Sequence, residues 1–159
     1  MDSIYICQKK NLDISEYRIQ KMVQLKKNKI LIGTKEQGIY LYDCCTQQLT
    51  RFTSDIHHLL ISLYVVSDKY VYASFYGNGI YCYNQDGKIV KSYTSKTSSL
   101  NNNYVLDIIE HKGQLWIATE YGISRFNPNS HSCENYFFSS YTLGNVYSEN
   151  SACMGADGK

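Results

Sequence analysis

One pattern recurs three times along this chain, and it limits the possible folds more than any other feature. Its copies are KILIGTKEQGIYLYD at 29–43, KYVYASFYGNGIYCYN at 69–84 and QLWIATEYGISRFN at 114–127. Each copy reads as a strand that ends in a small residue and Ser or Thr, followed by a short turn and then by Gly-Ile at the start of a second strand. The chain is therefore expected to repeat one β-structured unit.

The spacing of the copies indicates the architecture. The hydroxyl residues Thr34, Ser74 and Thr119 are 40 and 45 residues apart. Apolar runs and turn signals on both sides of each copy extend the unit to about four short strands. A period of about 40 to 45 residues with four strands is typical of β-propeller blades. The sequence predicts an all-β fold, a propeller fragment with about three full four-stranded blades and partial blades at both ends.

Blade packing accounts for the residue types in the repeat. Both faces of a blade are covered by its neighbours, so both faces should be apolar or aromatic. We expect Trp116 to be a packed blade residue and not a ligand platform. The small residues Gly33, Ala73 and Ala118 are expected at one equivalent position where neighbouring backbones come close. The turn glycines should adopt positive φ, which is favourable only for Gly; these are Gly38, Gly79 and Gly122.

The repeat also predicts how the chain divides within one incomplete propeller domain. Residues 1–17 match the second half of a blade, 18–54, 55–95 and 96–139 match whole blades, and 140–159 match the start of a further blade. Such a fragment would expose edge strands and apolar faces. Either it is part of a longer protein, or several copies assemble into a ring. The first explanation is favoured because both ends divide a blade.

Composition excludes several classes of function. The formal net charge of +2 is too small to indicate a nucleic-acid partner, and the basic run KKNK at 26–29 lies between two apolar runs, where a hairpin turn is expected. No apolar run approaches the roughly 20 residues that span a bilayer. The N-terminus lacks the pattern of a secretory signal. The six cysteines lack CxxC or zinc-ligand spacing and are expected to be free thiols at the surface or half-buried.

No catalytic, cofactor or metal residue is predicted. Asp55, His57 and His58 lie close in sequence, but adjacent histidines on a strand point to opposite faces and could not easily share a metal. His111 falls in a turn of a strand-rich region. Asp107 and Glu110 flank one strand with no partner base. The GNGIY run beginning at Gly77 is a hairpin turn, because no helix follows it.

The most polar stretch is SKTSSLNNNY at 95–104. One interpretation is a connector between blades. The other is a ligand-facing loop, because Asn, Ser and Tyr side chains suit sugar hydroxyls. The connector is the favoured interpretation, and the ligand-binding residues stay unknown at this point.

The repeat resembles a known family. LWIATEYGISRFNP at 115–128 and ILIGTKEQGIYLYD at 30–43 are similar to regulator-propeller repeats, and YASFYGNGIYCYN at 72–84 matches less closely, with Ala-Ser in place of Gly-Thr. These repeats are typical of the periplasmic sensor region of hybrid two-component sensor histidine kinases of Bacteroides type. The segment 141–159 is similar to the final repeat of those propellers.

The resemblance implies a non-catalytic contribution to ligand sensing. The intact parent would sense an extracytoplasmic ligand, often a glycan fragment, and would be periplasmic in this region. This chain shows no membrane segment or kinase core, so it would supply blades alone. Its partners would be the remaining blades or other copies of itself, with an oligosaccharide as possible ligand. Alternatives are a free-standing module for protein or carbohydrate binding that assembles as a homo-oligomer, and a piece of a propeller enzyme.

Overall fold

The computed structural model describes residues 13–53, 58–66 and 69–137. These residues form strands without helices, arranged as three antiparallel four-stranded sheets in chain order. The first sheet holds β1 (Ile19–Lys26), β2 (Lys29–Thr34), β3 (Ile39–Asp43) and β4 (Gln48–Arg51). The second holds β5 (Leu60–Val66), β6 (Tyr70–Phe75), β7 (Gly79–Tyr83) and β8 (Ile89–Tyr93). The third holds β9 (Val105–His111), β10 (Gln114–Thr119), β11 (Gly122–Phe126) and β12 (Cys133–Tyr136).

The sheets are successive meanders, since each strand pairs with the next along the chain. Short turns make this possible. Lys26 pairs with Lys29, so the basic KKNK run is the predicted hairpin turn. All three glycines before the Ile residues have positive φ, at 93° for Gly38, 73° for Gly79 and 114° for Gly122. That prediction is confirmed.

Two apolar clusters hold the sheets face to face. The cluster between the first and second sheets is made of aliphatic and aromatic side chains, namely Leu25, Leu31, Ile39, Phe52, Leu60, Leu63, Val71, Ala73, Phe75 and Tyr83. The cluster between the second and third sheets is equivalent, and contains Tyr72, Ile80, Cys82, Tyr93, Leu100, Val105, Ile108, Leu115, Ile117 and Phe126. The first strand of the second sheet, β5, lies against both β1 and β9. The all-β propeller fragment with three full blades is confirmed.

The strand pairing corrects one detail of the predicted repeat. The Ile residue after each turn glycine pairs with one residue of the preceding strand, namely Gly33, Ser74 and Ala118. Ser74 therefore takes the position that the sequence assigned to Ala73. By the same register Phe75, paired with Gly79, is the counterpart of Thr34 and Thr119. The sequence alignment was wrong by one residue in the second copy, because Ala73 and Ser74 are both small.

Gly33 was predicted to lie where neighbouring backbones come close, but in the structure its nearest neighbour is a side chain. A Cβ on Gly33 would lie 2.3 Å from Cδ2 of Leu60, which is a side-chain atom of the second sheet. The nearest backbone atom, the carbonyl oxygen of Lys21, would lie at 3.4 Å. Gly33 is thus small because Leu60 fills the space above it, and not because two backbones meet there.

Parts of the predicted domain division lie outside the described residues, among them most of 1–17 and all of 140–159, so those partial blades stay predictions. Ile14 and Tyr17 are described and pack against the first sheet with Tyr40 and Leu49. The rings of Tyr17 and Tyr40 are 6.0 Å apart. No helix in the described part of the chain has the length and apolar character that crossing a membrane requires.

Candidate functional site

Three polar residues occupy one repeated position on the first strands of the three sheets. Lys21 pairs with Gly33, Ser62 with Ser74 and Asp107 with Ala118. Because those partners are equivalent in the repeat, the three polar residues are equivalent as well. They will be called the inner-strand cluster.

The inner-strand cluster is joined through one carboxylate oxygen. Ser62 Oγ donates to Asp107 Oδ1 at 2.8 Å, and Lys21 Nζ lies 3.3 Å from the same oxygen. The backbone N–H of Ile108 also donates to Oδ1, at 2.9 Å. Asp107 and Ser62 are each 1% exposed. The buried carboxylate therefore joins the first strands of all three sheets, while the Lys21 side chain stays 28% exposed.

The second carboxylate oxygen, Asp107 Oδ2, is buried and has no hydrogen-bond partner among the described residues. A buried carboxylate oxygen without a donor is costly. By the repeat, side chains at this position point toward the following sheet, as Ser62 points toward Asp107.

Asp107 and Glu110 were not expected to act as paired carboxylates, and the structure gives them separate partners. They do not converge: Glu110 Oε1 accepts a hydrogen bond from the N–H of Gly113 in the hairpin turn, at 2.6 Å. Asp107 does have a charged partner, Lys21, which lies far away in sequence. Sequence reasoning missed the cluster because these contacts join residues 45 and 86 positions apart, and they depend on how the three sheets pack.

The outward face of the third sheet carries aromatic side chains. Trp116 stacks on Tyr136 with ring centroids 5.8 Å apart, and Arg125 lies 6.0 Å from both rings. Arg125 also pairs with Glu134 at 2.7 Å, which lowers the pKa of that carboxyl. Trp116 Nε1 is buried and unpartnered among the described residues. Trp116 is therefore half-buried and packs against side chains of its own sheet.

The position of Trp116 in the repeat identifies the faces of the first and second sheets that are equivalent to the outward face of the third sheet. Its counterparts by strand register are Leu31 and Tyr72. Leu31 packs between the first and second sheets, and Tyr72 between the second and third. The face around Trp116 is thus equivalent to faces that a following sheet covers elsewhere in the chain.

The polar stretch 95–104 divides into two parts. Its asparagine side chains serve the local structure: Asn103 Oδ1 accepts from the N–H of Ser95, Asn102 Oδ1 from the N–H of Tyr104, and Asn101 Nδ2 donates to the carbonyl of Tyr121. Asn101 Oδ1 also accepts hydrogen bonds from the hydroxyls of Thr119 and Ser124, each at 3.0 Å. For these asparagines the connector interpretation fits.

The other part of the stretch lines an open groove, here called the basic groove. Its volume is about 360 Å³, and it is lined by Lys91, Tyr93, Lys96, Thr97, Ser98, Ser99 and His131. Tyr93 Oη and His131 Nδ1 are 2.7 Å apart. Burial raises the pKa of Tyr93 to about 12, so this phenol stays protonated near neutral pH.

Of the remaining sequence candidates, the structure describes His58 and His111. Asp55 and His57 lie outside the described residues, and the ring of His58 packs against Phe75 at 6.4 Å. His111 ends β9 beside the turn. No group of three or more His, Cys, Asp or Glu side chains is placed to hold a metal within residues 13–53, 58–66 and 69–137.

The cysteines differ partly from the expectation. Cys44 and Cys45 are exposed free thiols and Cys133 is half-buried, but Cys82 is fully buried between the second and third sheets. Burial raises the pKa of the Cys82 thiol. Cys7 and Cys153 lie outside the described residues.

Comparison with known families supports the resemblance drawn from the repeat. Residues 99–121 match the family described as "Two component regulator propeller". The match covers the end of the polar stretch, β9, β10 and the turn that follows. The resemblance to regulator-propeller repeats is confirmed. No curated protein sequence is significantly similar to this chain.

Solved structures show the same fold. The extracellular domain assigned to a hybrid two component system of B. thetaiotaomicron has a TM-score of 0.67 at 20% identity, over 80% of this chain and 18% of that one. The extracellular domain assigned to a one component system of the same organism has a TM-score of 0.72 at 19% identity, over 89% of this chain and 21% of that one. This chain thus spans about a fifth of the length of either.

A third similar structure belongs to a different kind of protein. PorZ, a surface component of the type-IX secretion system of Porphyromonas gingivalis, has a TM-score of 0.58 at 18% identity, over 69% of this chain and 17% of that one. At these identities the likeness shows the fold alone. The family match at 99–121 is the more specific finding, because it rests on the sequence of the repeat.

Proposed function

We propose that this chain is part of the extracytoplasmic ligand-sensing propeller of a hybrid two-component sensor histidine kinase. The observation that carries the proposal is the regulator-propeller match at 99–121 within a propeller fold. The extracellular domains with the same fold support an extracytoplasmic location. A carbohydrate is the proposed ligand class, since hydroxyl and cationic side chains gather in the basic groove.

The role of this chain is recognition without chemistry. Ser62 is the hydroxyl that comes closest to a catalytic arrangement, because it donates to the carboxylate of Asp107. Both residues are 1% exposed, so no substrate can reach that hydroxyl. A nucleophile needs an accessible reacting atom beside its base. The pair is better explained as a link between sheets.

The proposal is tested by the transcriptional response of the organism that encodes the chain. An in-frame deletion of the coding segment for residues 69–137 should abolish induction by one class of polysaccharide and leave the response to other carbon sources intact. Re-expression of the intact gene should restore induction. Normal induction by every polysaccharide in the deletion strain would contradict the proposed role.

A second candidate function is a free-standing module that assembles from several copies. Exposed rings at one end of the third sheet favour it, because Tyr121 in the β10–β11 turn and Phe137 after β12 are 63% and 57% exposed and lie 6.4 Å apart. Exposed apolar patches of this kind commonly mark interfaces. Sedimentation should then reveal a discrete particle whose mass is a small multiple of 18.3 kDa. A Tyr121→Lys variant should dissociate it, whereas a monomer at all concentrations would rule this function out.

A further inference from the structure

We propose that the basic groove binds an acidic oligosaccharide through its carboxylate or sulfate groups. This rests on the proposed function, whose ligand class it narrows from carbohydrates in general to anionic ones. The groove lies between the last strand of the second sheet, the loop after it, and the turn between β11 and β12. It is separate from the inner-strand cluster and from the aromatic face of the third sheet.

The positive charge of the groove lining is the first argument for an anionic ligand. Lys91 and Lys96 are exposed, His131 is a third nitrogen base, and no carboxylate side chain lines the groove. Ammonium groups bind carboxylate and sulfate oxygens with hydrogen bonds about twice as strong as neutral ones. A neutral sugar would leave these charges unused, so the lining selects for an anion.

The fixed orientation of the His131 side chain is the second argument for a binding site in the groove. Tyr93 is 3% exposed, and its hydroxyl is hydrogen-bonded to Nδ1 of His131 at 2.7 Å, so a buried side chain fixes the orientation of the imidazole ring. The backbone is fixed too: His131 has φ 58° and its N–H donates to the carbonyl of Asn127 at 2.8 Å. A side chain held in this way on an uncommon backbone conformation is a preorganised part of the groove lining.

The hydroxyl side chains in the lining and the volume of the groove both suit a sugar. Thr97, Ser98 and Ser99 contribute hydroxyl groups beside the two lysines. The Ser98 hydroxyl is anchored to the carbonyl of Thr94 at 2.7 Å, so the wall of the groove is ordered by its own hydrogen bonds. The volume of about 360 Å³ falls at the lower end of the range of ligand pockets, roughly 300–1,000 Å³. A short segment of a saccharide chain fits that description better than a large ligand.

The test is calorimetric titration of the 159-residue chain with defined probes. These are trigalacturonate, a sulfated chondroitin disaccharide, neutral cellotriose, inorganic sulfate and inorganic phosphate. One of the two acidic saccharides should bind, cellotriose should not, and the inorganic ions should bind at least tenfold more weakly. Raising the ionic strength from about 0.05 M to about 0.3 M should weaken binding, because exposed charges are screened.

Matched variants locate the site. The double variant Lys91→Ala, Lys96→Ala should lose at least tenfold in affinity, and Tyr93→Phe should lose several-fold because His131 loses its fixed partner. The control Lys27→Ala, Lys69→Ala removes the same charge from exposed positions outside the groove and should bind normally. Circular dichroism confirms that each variant folds.

The outcomes separate this inference from the proposed function. Binding of cellotriose that the groove variants do not weaken would overturn the inference and leave carbohydrate sensing standing. Acidic saccharide binding that survives in the groove variants would place the ligand elsewhere. Equal affinity for inorganic sulfate or phosphate would show an oxyanion site with no saccharide specificity. If none of the probes binds, the inference is also overturned. The transcriptional test would still decide the proposed function.

Discussion

Lys21 and Asp107 are 86 residues apart in the chain, and their charged atoms lie 3.3 Å apart in the structure. The pair links the first strand of the first sheet to the first strand of the third. Ser62, on the strand between them, donates to the same carboxylate oxygen at 2.8 Å. One side chain thus connects the first strands of all three sheets.

Replacing Asp107 by Ala should destabilise the fold by about 2–4 kcal/mol, because Lys21 loses its buried partner and Ser62 loses its acceptor. Urea unfolding measures the change. The exposed Asp86 offers a matched control, and Asp86→Ala should change stability by less than about 0.5 kcal/mol. If both variants unfold at the same urea concentration, the carboxylate of Asp107 does not hold the sheets together.

Gly87 and Gly113 provide a test of packing at constant backbone geometry, since both have φ 75°. A Cβ on Gly87 would lie 1.6 Å from the carbonyl oxygen of Phe52, whereas a Cβ on Gly113 would meet nothing within 4 Å. Gly113→Ala should cost about 1–2 kcal/mol for the positive φ. Gly87→Ala should cost clearly more or prevent folding. Equal unfolding temperatures for the two variants would contradict the approach of Gly87 to Phe52.

Gly33 and Leu60 should behave as a coupled pair. Gly33→Ala is expected to destabilise by about 1–3 kcal/mol because its methyl group would overlap Leu60 Cδ2. In a Leu60→Ala background the same substitution should cost little or become favourable, because the new methyl group fills part of the space that Leu60 vacates. A thermal double-mutant cycle measures the coupling. Strictly additive effects would mean that another atom limits this position.

The thiols should differ in reactivity by their burial. Cys44 and Cys45 are exposed, while Cys82 is 3% exposed and its pKa is raised by burial. Because the thiolate is the reactive form, Cys82 should be alkylated orders of magnitude more slowly than the other two. Peptide mapping after a short iodoacetamide pulse measures each site. Rapid labelling of Cys82 in the folded chain would show that the second and third sheets do not pack as described.

The sequence repeat made much of this fold predictable. The features that it did not predict depend on packing between sheets. The turn glycines could be located from sequence, because positive φ leaves few alternatives to Gly. The strand register of the second sheet could not be predicted from sequence, because Ala73 and Ser74 are both small enough for the same position. The contact between Lys21 and Asp107 depends on how three sheets are arranged in space. The basic groove joins Lys91, the segment 96–99 and His131, and their proximity has no local sequence signal.

The central claim is that the chain is a sensor propeller segment of a two-component system. Sequencing the DNA on both sides of its reading frame, and translating it in all frames, tests this most directly. The account predicts further repeats of the same pattern, with a membrane helix and a histidine kinase core downstream. Unrelated genes with their own start and stop signals on both sides would contradict it, and would favour the self-assembling module.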